Sequence, residues 1–282
     1  MILHSAPTCL ICSSKAKYFF SKNYDSYEGS PFKNGLAVDY WKCAECGFVF
    51  SKTHQDMSLE NWSKLNTSWH HLFETSDDLS HINQPPYADQ ALALQILNKN
   101  NIVNLPTALD YAAGYGTLGK FIQKYFNVRI NSYDRYVQDP SSSEGYISFP
   151  NKGHYQLVIN SAMFEHVTTR RDLDEVNQFV ADDGVLVIHT QICENVPNDP
   201  KWFYLEPIVH TAFHTNKSMS VLMKQWGYSA SIYSLKARSW YLFKNKYPYL
   251  SCLENKVRQI NDELQSEYFF YKEGFLDYWK GY

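Results

Sequence analysis

Apolar residues between positions 85 and 245 alternate between strand-like runs and helical spacing. The pattern predicts strands at 107–112, 128–134, 155–160 and 185–189. The run at 155–160 is nearly continuously apolar, as is typical of a buried parallel strand. Apolar residues at helical spacing predict helices over 87–99, after Leu118, after a capping Thr169, and over 216–226. This alternation predicts an α/β fold, with a doubly wound, mostly parallel sheet covered by helices on both faces.

Finer details of the pattern give further expectations. The helix over 87–99 should bury a face made of Ala88, Leu92 and Ile96. Asp183-Gly184 predicts a turn before the strand VLVIH, and YSASIYSL with RSWYLFKN predicts a closing antiparallel hairpin.

The chain divides into four predicted segments. They are a cysteine module at 1–50, a linker or helical cap at 51–84, a main domain at 85–245 and a helical C-terminal extension at 246–282. The breaker Pro85-Pro86 ends the second segment. Within it, Trp69 and Phe73 could form an apolar stripe that packs between domains or forms a wall of the acceptor pocket.

Composition is that of an ordinary globular protein. The 282 residues are 44% hydrophobic and 20% charged, with a net charge of −3. No general attraction to nucleic acid or to anionic membrane is therefore expected. The sequence holds no apolar run of membrane-spanning length and starts without the features of a secretory signal, so we expect a cytoplasmic protein.

Two C-x-x-C pairs lie 30 residues apart in the first segment, and they are Cys9, Cys12, Cys43 and Cys46. In a reducing compartment such pairs are first interpreted as a tetrahedral zinc site. Four thiolates leave no open coordination position, so the zinc would be structural. Disulfides or unrelated thiols are the alternative.

The stretch LDYAAGYGTLG carries a G-x-G-x-x-G spacing, which is typical of loops that hold a nucleotide cofactor. Asp134 ends the next predicted strand, 18 residues after Gly116, where its carboxylate can accept hydrogen bonds from ribose hydroxyls. Asp110 places a second carboxylate at the tip of the first strand. It would repel a pyrophosphate and attract the ammonium and sulfonium groups of S-adenosylmethionine.

These motifs resemble the class I S-adenosylmethionine-dependent methyltransferases, over roughly residues 85–245. The resemblance implies a seven-stranded sheet that ends in an antiparallel hairpin. It also implies a donor site, with Ala112 standing where the family usually has its first glycine. The predicted donor-binding residues are Asp110, Ala112, Gly114, Gly116, Asp134, Arg135 and Asn160.

The segment 203–219 should lie over the carboxyl ends of the strands, and it gathers Tyr204, Glu206, His210 and His214. It resembles the acceptor segment of sugar methyltransferases, particularly deoxysugar C-methyltransferases with a four-cysteine zinc domain. The resemblance implies a sugar, nucleotide sugar or polysaccharide building block as acceptor. His210 is the predicted base because the unperturbed pKa of histidine suits proton transfer near neutral pH. His214 is its alternative, and oxygen and carbon both remain open as the acceptor atom.

His166, in FEHV, is a further candidate for the catalytic site, or it orders the loop together with Glu165. Some relatives bind a metal here through an additional upstream acid. That position is Ala162 in this chain, so no catalytic metal is expected.

Three other functions are compatible with parts of the sequence. A zinc-ribbon RNA methyltransferase is the main alternative, although the lysines of residues 1–50 are balanced by acids and arginine is absent there. A nicotinamide oxidoreductase is disfavoured by Asp110. A catalytically inactive adaptor that uses the cysteine module to bind a protein is the third alternative.

Overall fold

The computed structural model describes residues 6–75, 84–136 and 145–277. Within these ranges the helices are α1 Lys52–Gln55, α2 Leu59–Thr75, α3 Tyr87–Lys99, α4 Thr117–Phe126, α5 Arg170–Phe179, α6 Asn216–Trp226 and α7 Leu253–Leu264. The strands are β1 Ala16–Tyr24, β2 Leu36–Cys43, β3 Val49–Ser51, β4 Ala108–Tyr111, β5 Asn131–Tyr133, β6 Tyr155–Ser161, β7 Val180–His189, β8 Ile192–Cys193, β9 Ala212–Thr215, β10 Tyr228–Ser234, β11 Ser239–Lys244 and β12 Phe269–Glu273.

The larger sheet has seven strands in the order β12-β10-β11-β7-β6-β4-β5. The α/β class and the hairpin β10–β11 are confirmed. The prediction of a mostly parallel sheet is wrong. Three neighbouring pairs are parallel, and the three that involve β10, β11 and β12 are antiparallel. The sheet is therefore mixed, because β11 inserts beside β7 and the tail adds one more strand.

Side chains of each central strand alternate between two cores, one on each face of this sheet. On β6, Val158 packs into the core under α5 and α6, whereas Leu157 and Ile159 pack under α3, α4 and α7. Helices cover both faces, as the alternating pattern predicted. Buried strands of this kind keep their carboxyl ends together at one edge of the sheet.

The smaller sheet has the strand order β1-β2-β3-β9-β8. Its strands β1 to β3 come from the cysteine module, and β9 comes from the predicted acceptor segment. The register sets Val49 opposite Phe213 and Phe50 opposite Ala212. The module and the segment therefore share one sheet, although the predicted boundaries treat them as separate. Trp62 and Leu65 of α2 pack in one hydrophobic core with Val49 and Phe213 of this smaller sheet.

Three local expectations fail for identifiable reasons. Helix α3 has the predicted bounds but buries Ala91, Ala93 and Leu94, while Leu92 is 42% exposed. Because alanine side chains are small, the face with Ala91 and Ala93 packs closely against the rest of the protein. The stripe of Ala88, Leu92 and Ile96 therefore predicted the wrong buried face. No turn breaks β7 at Gly184, because this glycine sits in a bulge where a Cβ atom would lie 3.1 Å from the Gln156 carbonyl oxygen.

The predicted C-terminal extension is helical only in part. Helix α7 is followed by β12, which pairs with β10 through the register Ile232 to Tyr271. Aromatic residues in the tail favour a strand that completes the edge of the larger sheet.

Candidate active site

A cavity of about 1500 Å³ opens at the carboxyl ends of the parallel strands. Its walls follow β4, β5, β6 and β7, and α2 with the segment after Trp202 closes the opposite side. Ligands of open α/β sheets bind at this edge. The volume exceeds the usual range of about 300–1000 Å³ for a single small ligand, so two ligands can lie side by side.

The glycine loop forms the floor of one half of the cavity. Ala112, Gly114 and Gly116 all have left-handed backbones, with φ of 61°, 54° and 71°. Glycine adopts this region freely, whereas an alanine there costs about 1 kcal/mol. The backbone N–H of Gly114 donates to Asp134 Oδ2 at 2.9 Å, which fixes the loop to the end of β5.

Two carboxylates stand at the strand ends beside this loop. Asp134 lines the cavity, and its Oδ1 also accepts from the backbone N–H of Tyr136 at 2.7 Å. Asp110 is buried below the loop and does not reach the cavity wall. Burial, followed by the negative charge of Asp134, raises the pKa of Asp110 to about 7. This end of the cavity therefore favours a cationic ligand.

The other predicted donor residues take supporting positions. Asn160 is fully buried, and its Nδ2 donates to the Tyr111 carbonyl at 3.0 Å, so it joins β6 to β4 beneath the cavity. Arg135 lines the cavity, but its guanidinium is paired with Glu175 at 2.7 Å. Gly116 keeps space for the ring of Tyr146, which a Cβ atom would approach to 3.1 Å.

The opposite half of the cavity is built around Glu165. This carboxylate is 3% exposed, and its Oε1 accepts a hydrogen bond from the Tyr204 hydroxyl at 2.8 Å. The Tyr204 oxygen also accepts from the backbone N–H of Gln191 at 3.1 Å. Burial raises the pKa of Glu165 above its ordinary value. Tyr204 thus orients a buried carboxyl group.

Two histidines lie beside this pair, with ring centres 5.0 Å apart. His166 Nδ1 is 3.1 Å from the Val209 carbonyl, and His210 Nδ1 is 2.7 Å from the Tyr204 carbonyl. Burial lowers the pKa of His210 to about 4 and that of His166 well below its ordinary value. Burial thus takes the pKa of the ring below the unperturbed value that suggested His210 as the base, and its role as the base stays a prediction.

The two remaining acceptor candidates lie apart from this cluster. Glu206 is exposed and lines the cavity. His214 is fully buried on β9, away from the cavity wall, with Nε2 3.3 Å from the Phe164 carbonyl. The structure therefore brings together Tyr204, His210 and His166 and leaves out His214.

Glu165 and His70 are parts of the site that the predicted set of residues leaves out. His70 on α2 lines the cavity, with its ring 5.0 Å from that of His166. The sequence predicts His166 as a candidate for this site, whereas it predicts Glu165 only as a residue that orders the loop together with His166. Trp69 lines the same wall, which supports the pocket-wall interpretation of α2, while the Phe73 side chain lies outside the described residues.

The four cysteines of the N-terminal module form a compact cluster. The Sγ atoms of Cys9 and Cys46 are 3.6 Å apart, and those of Cys12 and Cys43 are 3.4 Å apart. Disulfide sulfurs would lie at about 2.05 Å. Four sulfurs around a zinc ion at about 2.3 Å would lie about 3.8 Å apart, which is close to the observed spacing.

Comparison with known proteins gives structural neighbours only. No protein-family model matches the sequence, and no curated protein matches it. A protein described as an O-methyltransferase from Nostoc punctiforme is 15% identical, with a TM-score of 0.42 over 65% of this chain and 60% of that chain. The match thus spans less than two thirds of that protein.

Two further neighbours are also methyltransferases. Plantazolicin methyltransferase BpumL, in complex with SAH, is 9% identical over 66% of this chain and 98% of that chain, with a TM-score of 0.43. A SAM-dependent methyltransferase from Thermotoga maritima is 14% identical over 74% and 94%, with a TM-score of 0.41. At these identities and TM-scores the likeness does not establish a function for this chain. Within the described ranges, no helix is long and apolar enough to cross a membrane.

Proposed function

We propose that the protein is an S-adenosylmethionine-dependent methyltransferase. The observation that carries this proposal is the pair of carboxylates at the ends of β4 and β5, next to a left-handed glycine loop that lines a two-ligand cavity. Asp134 faces the cavity and would accept hydrogen bonds from the donor's ribose. Each of its oxygens has lone pairs beyond those used by the backbone. The carboxylate of Asp134 at the cavity wall favours a donor that carries positive charge and disfavours a pyrophosphate.

The acceptor would lie in the other half of the cavity, against Tyr204, Glu165, His166 and His210. Glu206 would contact the outer part of the acceptor. An electron pair of the acceptor atom forms a bond to the methyl carbon, and the pair of the carbon–sulfur bond returns to sulfur. The acceptor loses a proton, and the protein's task is to align the two reactants and lower the cost of that loss.

A sugar or a polysaccharide building block is the acceptor class that we favour. The acceptor half of the cavity combines exposed polar groups with the aromatic walls Trp69, Phe203 and Tyr204. Polar groups that fix orientation within a largely apolar wall are typical of small-molecule sites. The segment 203–219 resembles the acceptor segment of sugar methyltransferases, and this resemblance favours the same choice. Methylation at oxygen suits the cluster best, since its polar groups converge on one point.

A structural zinc ion in the cysteine module completes the proposal. Backbone N–H groups of Ile11 and Cys46 point at the sulfurs of Cys9 and Cys43, at 3.4 and 3.5 Å, which stabilises thiolates. The left-handed Gly47, with φ of 72°, allows the second turn. The ion would hold β1 and β2 in the sheet that also carries β9.

Calorimetry with S-adenosylmethionine, S-adenosylhomocysteine and NADH tests the donor. The first two should bind at micromolar affinity and NADH should not. Asp134→Ala should weaken donor binding by about 1.5–3 kcal/mol, the usual worth of a hydrogen bond to a charged group. Asp25→Ala, which removes an exposed carboxylate outside the cavity wall, serves as the control. Binding of NADH without S-adenosylmethionine would overturn the proposal.

A further inference from the structure

Three potential metal ligands converge in the acceptor half of the cavity. They are Glu165, His166 and His210, and one ligand atom from each lies within 4.8 Å of the other two. Glu165 and His166 follow β6, whereas His210 precedes β9. The Thr211 backbone N–H donates to the Glu165 carbonyl at 2.7 Å, and this bond holds the third group beside the first two. At position 162, where some relatives have a metal-binding acid, this chain has Ala162. The third potential ligand is instead His210, which comes from a different segment.

The hydrogen bonds of the two imidazoles leave one nitrogen on each ring available. A carbonyl oxygen only accepts, so the contacts of His166 Nδ1 and His210 Nδ1 place the proton on Nδ1 in both rings. Each Nε2 then keeps its lone pair. Metal-binding histidines are held in this way, with one nitrogen donating to a backbone carbonyl or a carboxylate and the other on the ion.

The carboxylate between them lacks a partner for one of its oxygens. Glu165 Oε1 accepts from Tyr204, but Oε2 is buried and forms no hydrogen bond with any residue that the structure describes. The three side chains also form no hydrogen bonds with one another within the described chain. A buried carboxylate oxygen without a partner is costly, and a cation at this point would remove the cost.

We propose that Glu165, His166 and His210 bind one divalent transition-metal ion. Two imidazole nitrogens and a carboxylate oxygen leave the ion's remaining positions directed to the cavity, where an oxygen of the acceptor can bind. The ion site itself does not depend on the methyl donor, whereas its role in lowering the pKa of an acceptor hydroxyl rests on the proposed function. Tyr204 is then a positioning residue, since it holds the carboxylate.

Manganese is the suitable probe, because Mn²⁺ prefers oxygen and nitrogen ligands to the thiolates of the cysteine cluster. The full chain, purified without chelator, is titrated with MnCl₂ while free Mn²⁺ is followed by electron paramagnetic resonance. One Mn²⁺ per chain should bind at micromolar affinity. Glu165→Gln, His166→Gln and His210→Gln should each weaken binding at least tenfold. His71→Gln, which changes an exposed histidine of the same cavity, should leave it unchanged.

Thermal unfolding of the same samples checks that the variants are folded. Mn²⁺ should raise the Tm of the wild type and of His71→Gln, and it should not raise that of the Glu165→Gln protein. Absence of Mn²⁺ binding to the wild type, or equal binding by the folded ligand variants, would overturn the inference. Calorimetry with S-adenosylmethionine separates the two proposals. Donor binding without Mn²⁺ binding removes only the metal site, and the reverse result removes only the methyltransferase.

Discussion

At the scale of single residues, the two aspartates of the donor half are the most informative. Asp134 was identified from the sequence because an acidic residue at the end of the second strand has a defined task. The burial of Asp110 and its effect on the charge could not be predicted. Both depend on how the loop folds over the end of the strand, which leaves Asp110 only 2% exposed.

The raised pKa of Asp110 gives a pH-dependent prediction. In the unfolded chain this carboxyl loses its proton near pH 3.9, whereas in the folded chain it does so near pH 7. Between these values the folded state binds the extra proton, so its contribution makes stability fall as pH rises, by at most about 1.4 kcal/mol per pH unit. Asp110→Asn cannot ionise and should lose this slope.

Denaturant unfolding of wild type and Asp110→Asn at several pH values between 4 and 8 measures the effect. The stability of the variant relative to wild type should rise from pH 4 to pH 7 and level off above it. Parallel pH profiles for the two proteins would show that Asp110 is ionised in the folded chain throughout this range.

At the scale of elements, the spacing of apolar residues predicted which helices exist and where they begin and end. It was a poorer guide to which face of a helix is buried. Helices α3 and α6 have the predicted bounds, and Thr169 caps α5 as expected. The buried face of α3 and the continuity of β7 were missed. Close packing of alanines and the bulge at Gly184 depend on neighbouring strands, and a pattern of apolar residues contains no information about them.

Helix α6 connects the two sheets through its cap. The Thr215 side chain accepts from the Ser218 N–H at 3.1 Å, and its hydroxyl donates to the Cys46 carbonyl. Thr215→Val keeps the shape and loses both bonds, so it should lower the free energy of unfolding by about 1–3 kcal/mol. Thr215→Ser keeps the hydroxyl and is the matched control. Urea denaturation compares them, and equal stability of the two variants would contradict this role for the hydroxyl.

At the scale of the whole molecule, the sequence revealed the parts of the site but not their assembly. Glycine loop, carboxylates, cysteines and acceptor segment were each recognisable from local spacing. His210 lies beside Glu165 and His166 because the Thr211 backbone N–H donates to the Glu165 carbonyl at 2.7 Å. The pairing of β3 with β9 also joins this segment to the cysteine module, between residues separated by about 160 positions. Such a long-range contact leaves no local signal.

This pairing predicts that the state of the cysteine cluster affects the acceptor half. Cys43→Ser should prevent binding of the proposed zinc ion and lower the hydrogen-exchange protection of β9 amides at 212–215, because β3 loses its support. Cys252→Ser changes a half-buried cysteine of the tail and should alter neither property. Elemental analysis and hydrogen–deuterium exchange give the two measurements. Unchanged protection of β9 in a zinc-free variant would contradict the coupling.

The shared sheet also has a consequence for how the chain is made. During synthesis β3 emerges long before β9, so its outer edge lacks its partner until about residue 215 has left the ribosome. An unpaired strand edge is a template for pairing with other chains. A fragment that ends before β9 would keep that edge open permanently, and it would be prone to aggregation even with its metal in place.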